Sequence, residues 1–91
     1  MSHALRTDVS VAETEYGVTL LDERDGEYYA LNPTGATVLR TLLDGGTADD
    51  AIRRLAAEYD VDAETASQDV TQLVGALERA GLLVPAAGGG S

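Results

Sequence analysis

One histidine, sixteen acidic side chains and no cysteine are the reactive inventory of this 91-residue chain. His3 sits in an N-terminal stretch without clear periodicity. A general base needs partners held at hydrogen-bond distance, so no catalytic role is expected for it. Ser2, Ser10, Ser67 and Ser91 have no histidine at a hydrolase spacing. The lack of cysteine removes disulfides, thiolate metal sites and thiol nucleophiles together. Asp49, Asp50, Asp62 and Glu64 fall where helices should begin, where negative charge complements the helix dipole. Asp60, Asp62 and Glu64 alternate as at the start of a calcium loop, but the central glycine and the final bidentate glutamate are missing. Gly45-Gly46 lacks the Lys-Ser/Thr that completes a phosphate loop. The expectation is no catalytic residue, no metal and no cofactor.

What remains is chemistry of the backbone. The stretch from Gly26 to Gly46, GEYYALNPTGATVLRTLLDGG, reads as a strand, Glu27 to Leu31, that stops at Asn32-Pro33 and turns into a helix. A strand followed only by helices is the last of its sheet and can lie at the edge. An open edge is a row of unpaired N–H and C=O groups, a rail for another extended peptide.

The elements that must hold such a rail are legible by period. Val9 to Thr14 alternates apolar with polar, as a half-buried strand does, and Val18 to Leu21 resumes the pattern after a turn at Glu15-Tyr16-Gly17. Asp25-Gly26 is a short-hairpin signal before the third strand. Alternation puts Tyr29 and Leu31 on one face of that strand and Tyr28 and Ala30 on the other. Tyr29 and Tyr59 read as core residues with a wet hydroxyl; Tyr28 reads either as a solvated tyrosine or as a groove-lining one.

Asn32 and Pro33 suit the cap and first position of a helix with Val38, Leu39, Leu42 and Leu43 as its buried stripe. Gly35, lacking a Cβ, lets a neighbouring segment pass close. Thr47 with Asp50 forms a short-armed capping box for a second helix, and Asp62 caps a third that carries Ala66, Val70, Leu73, Val74 and Leu77. Gly81 falls at the left-handed position after that helix, and Leu82-Leu83-Val84 is too short to assign as a strand. The fold class expected is α+β, a three-stranded antiparallel sheet followed by three helices in winged helix-turn-helix order. Residues 1–8 are expected to be a flexible N-terminus and 85–91, ending in GGGS, a flexible tail.

Charge narrows the partners. Six arginines and no lysine against sixteen acids leave a net charge of −10. Neutralising phosphates needs clustered cations, and only Arg53-Arg54 are adjacent, so nucleic acid is not an expected partner. A cationic peptide would be drawn in by the overall field. No apolar run approaches the roughly 20 residues that span a bilayer, and the N-terminus lacks the apolar core of a secretory signal, so a cytoplasmic location is expected.

The ordered set Gly26-x-Tyr28-Tyr29-x-Leu31-Asn32-x-Thr34-Gly35, Val38-Leu39-x-x-Leu42-Leu43-Asp44-Gly45-Gly46, Ala51-Ile52-x-x-Leu55, Tyr59-Asp60-Val61 and Asp69-Val70-x-x-Leu73-x-x-x-Leu77-x-x-x-Gly81-Leu82 resembles the PqqD-like family. The resemblance runs from about Val9 to Leu83 and implies a peptide recognition domain over 9–84. It implies a non-catalytic protein that binds the leader of a ribosomally made precursor as a further antiparallel strand and presents it to processing enzymes. Gly17-Val18-x-Leu20-Leu21-Asp22-x-Arg24-x-Gly26 looks most like free-standing members of lasso-peptide pathways, which work with a separate cysteine protease. By the same resemblance the pairing strand is Glu27, Tyr28, Tyr29, Ala30 and Leu31, and the groove wall is the third helix through Ala66, Asp69, Val70, Leu73 and Ala76. The acidic surface then favours a leader containing Lys or Arg.

Two other classes share parts of this pattern. A winged-helix DNA-binding regulator would need a basic third helix, yet Asp62 to Arg79 holds Asp62, Glu64, Asp69 and Glu78 against one arginine. An acyl carrier would need an Asp-Ser-Leu helix start, which no serine here provides.

Overall fold

The structure is a computed structural model and describes residues 3–85. Three strands, β2 (Val9–Thr14), β3 (Gly17–Asp22) and β4 (Glu27–Leu31), form an antiparallel sheet in the order β2-β3-β4. They precede three helices, α1 (Pro33–Leu43), α2 (Ala48–Tyr59) and α3 (Ala63–Arg79), so the α+β order expected from the sequence holds. A second, two-stranded sheet pairs β1 (His3–Leu5) with β5 (Leu83–Pro85).

The register of the main sheet runs without a break, Val9 opposite Asp22 through Thr14 opposite Gly17, and Val18 opposite Leu31 through Asp22 opposite Glu27. After buried Gly17, the buried side chains of β3 are Val18, Leu20 and Asp22, alternating with half-buried Thr19 and Leu21. The helices therefore cover one face of the sheet. Val18 and Leu20 join Ala36, Val38, Leu39 and Leu42 of α1, Leu55 of α2 and Val70 and Leu77 of α3 in one core.

The capping chemistry sets where each helix starts. Asn32 Oδ1 accepts from Gly35 N at 2.9 Å. Thr47 Oγ1 accepts from Asp50 N at 3.1 Å while Asp50 Oδ2 accepts from Thr47 N at 2.9 Å, closing the capping box. Asp62 Oδ1 accepts from Thr65 N at 2.7 Å. At the far end of α3, Gly81 takes φ +76° and Leu82 N reaches Leu77 O at 3.0 Å, the reversal that returns the chain as β5.

Several expectations are corrected. Residues 1–8 were expected to be loose, but β1 lies within them, because Leu5 packs on the core and Arg6 is tied down on several sides. Arg6 bonds Asp8 Oδ1 at 2.5 Å and Gly81 O at 2.9 Å, and also pairs with the buried Asp22. The expected tail begins at Pro85, which closes β5; residues 86–91 lie outside the described residues. β2 is exposed from Val11 onward rather than half-buried, with Val11 at 43%. Leu43 is exposed at the end of the α1 stripe, and Tyr59 is exposed where a core position was expected. Its hydroxyl still ties α2 to the start of α1, 3.1 Å from Thr37 Oγ1 and 3.3 Å from Pro33 O. Tyr29 is half-buried and packs against the core.

Candidate peptide-binding groove

β4 is an edge strand. β3 occupies one flank, and among the described residues no strand pairs with the other. The N-terminal arm, which would be the obvious candidate to close that flank, is bonded to β5 instead. The backbone groups of Glu27 to Leu31 on the outer flank are thus unpaired by strand, and a strand added there would satisfy them.

Gly35 and Leu73 show how close α3 comes to the end of this strand. A Cβ built on Gly35 would stand 3.2 Å from Asn32 Oδ1, 3.4 Å from Leu31 Cβ and 3.6 Å from Leu73 Cδ2. Leaving that carbon out keeps open a cleft of about 370 Å³ between the start of α1 and the middle of α3. Its floor is apolar, made by Val38, Leu55, Gly35 and Leu73; its rim is polar, made by Asn32, Thr34, Asp69 and Gln72. Thr34 Oγ1 donates to Asn32 Oδ1 at 2.9 Å, holding that rim in place. Asp69 is exposed and forms no ion pair among the described residues. The cleft can take a side chain with an apolar stem and a donor or cationic head.

The residues expected on the α3 wall divide in two. Asp69 and Leu73 line the cleft, at positions i and i+4 on one side of the helix. Ala76 continues that side one turn on, exposed but beyond the cleft. Ala66 and Val70 are corrected: they are 0% and 1% exposed, part of the core, and back the wall without facing a ligand. Tyr28 and Ala30 pair in register with Leu21 and Thr19, on the face away from the helices, so Tyr28 does not line the groove. Tyr29 and Leu31 are the β4 side chains on the helix side.

Sequence reasoning missed Asn32, Thr34 and Gln72 as groove residues. Asn32 carries a cap signal and Thr34 stands only in the Asn-x-Thr-Gly element of the family pattern; Gln72 has a signal in its spacing, three residues after Asp69.

A larger hollow of about 520 Å³ lies between the end of α1 and α2. Its cations are already engaged: Arg53 pairs with Asp50, and Arg54 reaches Glu58 at 3.8 Å and Thr41 Oγ1 at 3.3 Å. Size alone does not make it a site, and both of its cations are neutralised by carboxylates of α2. No helix among the described residues is long and apolar enough to cross a membrane.

The family model described as "Coenzyme PQQ synthesis protein D (PqqD)" matches residues 17–83. Among solved structures, one described as "Lasso peptide synthetase B1 complexed with the leader peptide" is 41% identical, with a TM-score of 0.87 over 93% of this chain and 100% of that chain. Another, "TbiB1 in Complex with the TbiA(beta) Leader Peptide", is 28% identical, with a TM-score of 0.82 over 96% of this chain and 99% of that one. Comparison with curated protein sequences finds no match.

Proposed function

The chain belongs to the PqqD family, and from that premise we propose that it captures the leader segment of a ribosomal precursor peptide as an added strand on β4 and delivers it to a separate cysteine protease of a lasso-peptide pathway. It does so without catalysing a reaction itself, in the cytoplasm where the precursor is made. The observation that supports this reading is the open flank of β4, with a cleft lined from Asn32, the residue that follows that strand, to α3, in a fold shared with a 41% identical protein solved with a leader peptide.

The energetics divide into two parts. A five-residue strand offers about four to six backbone hydrogen bonds, each worth roughly 0.5–1.5 kcal/mol net, and these are blind to sequence. Selection falls to alternate side chains of the leader that point toward the helices, where Leu73, Leu31 and Tyr29 give apolar contact. Asp69 at the rim, with a net charge of −10 behind it, favours Lys or Arg at the side chain entering the cleft. A DNA-binding role is disfavoured by the same surface, since α3 carries Asp69, Glu64 and Glu78 against Arg79 alone.

The test is fluorescence titration with a dye-labelled leader peptide of the kind bound in the 41% identical structure. Wild-type protein should saturate the signal, and Leu73→Glu, which puts a carboxylate into the apolar floor, should weaken binding at least tenfold while retaining helical circular dichroism. Equal binding by the folded variant overturns the groove.

A further inference from the structure

The main sheet has a second edge. β2 pairs with β3 on one flank, and among the described residues no strand pairs with the other. Two bonds fix the direction of its backbone groups. Glu23 N donates to Asp8 O at 2.9 Å, toward the β3 side, whereas Val9 N donates to Arg6 O at 3.0 Å, away from it. In an antiparallel pair that direction alternates residue by residue. Ser10, Ala12 and Thr14 therefore direct their N–H and C=O groups to β3. Val11 and Glu13, with the carbonyl of Val9, turn theirs to the outer flank. Nothing on β2 discourages another strand from adding there. It carries no proline, no lysine and no bulge, the usual guards of an exposed edge.

The pattern on this flank is complementary to itself. With Val11 set antiparallel against Val11 of a second copy, the two valines exchange both backbone bonds. Each Glu13 N–H then meets the other copy's Val9 carbonyl, giving about four bonds in all. The Val9 N–H, already held by Arg6 O, is not needed. Side chains agree with that register. Val11 stands opposite buried Leu20, on the helix side, yet is 43% exposed; the pairing sets two such valines side by side. Glu13 is the only ionisable residue on β2, and it is paired with Arg40. Two positions either side of the axis, the two Glu13 backbones stand about 13 Å apart, beyond the ~8 Å screening length of physiological salt. The helices fit as well. The two β3 strands, on which the α1 helices pack, lie about 14 Å apart, more than the roughly 10 Å that packed helices need.

We propose that the outer flank of β2 is a self-pairing surface, on which two copies join antiparallel about Val11 into one continuous sheet. The contact is isologous, so it closes at two copies. A six-residue strand edge, about 20 Å long, buries well under the ~800 Å² per partner of a lasting complex. The dimer is therefore weak and forms as concentration rises. A net charge of −10 on each copy opposes it, so added salt strengthens it. Both β4 flanks stay free at the far ends of the joined sheet, since β2 and β4 are its opposite edges. One dimer thus offers two open rails at once.

The experiment is sedimentation equilibrium of the full chain. Wild-type mass should climb from monomer toward dimer with concentration, and the midpoint should fall at least threefold in about 1 M NaCl, where the screening length is about 3 Å. Val11→Asp and Val11→Lys each put like charges on the axis and should sediment as monomers. An equimolar mixture of the two should recover the dimer, because only a contact of residue 11 with its own copy brings those charges together. Val11→Pro removes an N–H that β3 does not use, so it should abolish the dimer while keeping the wild-type circular dichroism. A leader peptide of the kind bound in the 41% identical structure should leave the wild-type dimer intact. Wild-type protein that stays monomeric up to about 1 mM in both salts overturns the proposal. So does a dimer that survives in Val11→Pro, or a charge-swapped mixture that stays monomeric. A dimer that leader peptide dissociates moves the contact to β4 and overturns it too.

Discussion

Gly17 lies so close to Leu31 that a Cβ on it would stand 2.1 Å from the Leu31 carbonyl oxygen and 3.0 Å from the carbonyl carbon of Asn32. Gly17 also sits at φ +145°, a conformation that side-chain-bearing residues rarely adopt. The turn between β2 and β3 is thereby packed on the point where β4 ends and α1 begins, at the mouth of the cleft. Gly17→Ala must push that junction aside. Its leader affinity should fall at least fivefold and its thermal midpoint by several degrees, read by titration and circular dichroism on one sample. An unchanged midpoint would mean that the junction tolerates displacement.

Asn32 both caps α1 and lines the cleft. Replacing it with alanine removes a cap worth about 1 kcal/mol. Asn32→Asp retains the capping oxygen while adding charge to the rim. Asn32→Ala should lose both stability and leader binding; Asn32→Asp should keep the stability in a urea melt. Equal loss of stability in both would contradict the capping role.

Arg6 bonds its near neighbour Asp8 and joins two distant parts of the chain, the buried Asp22 and Gly81 O. Its two carboxylate partners hold the guanidinium charged, with the hydrogen bond to Asp8 the largest influence and the contact with Asp22 adding to it. Arg6→Ala leaves the Asp22 carboxylate buried without its cation, and a lone buried charge is far costlier than a missing pair. Arg6→Ala should therefore melt well below wild type, and Arg6→Ala with Asp22→Asn should recover part of the loss. No recovery in the double variant would show that packing of Arg6, rather than its charge, is what matters.

Acid should unfold this protein from a particular set of groups. The backbone hydrogen bond from Thr47 holds the Asp50 carboxyl below the usual carboxylate range, and that from Thr65 does the same for Asp62. Hydrogen bonds from Arg6 and Arg40 lower Asp8 and Glu13. A carboxylate depressed in the folded state stabilises it above the unfolded pKa, and that contribution is lost as pH falls through the folded value. The urea midpoint should be flat near neutrality and decline from roughly pH 4 downward. Asp62→Asn should flatten part of that decline. A midpoint that rises on acidification would reverse the sign and refute the assignment.

Much of this was legible from the residues alone, for local reasons. Helix starts follow from one side-chain oxygen meeting a backbone N–H three residues on, which is why Asn32, Thr47 and Asp62 each cap where their spacing says. The faces of β4 follow from the period of a strand, and the order of strands before helices follows from where the period changes. The ordered set from Gly26 to Leu82 is what resembles a peptide-binding family.

Only the folded molecule decided which of those residues a peptide can reach. Ala66 and Val70 share a helix with the groove residues, yet they are buried in the core where α3 packs mainly against α2, because a helix stripe wide enough to build a core is wider than the part left at its margin. The pairing of β1 with β5 joins segments some eighty residues apart, and no local period encodes a contact at that distance. That pairing matters most, since it takes the N-terminal arm away from β4 and leaves the strand's outer flank open.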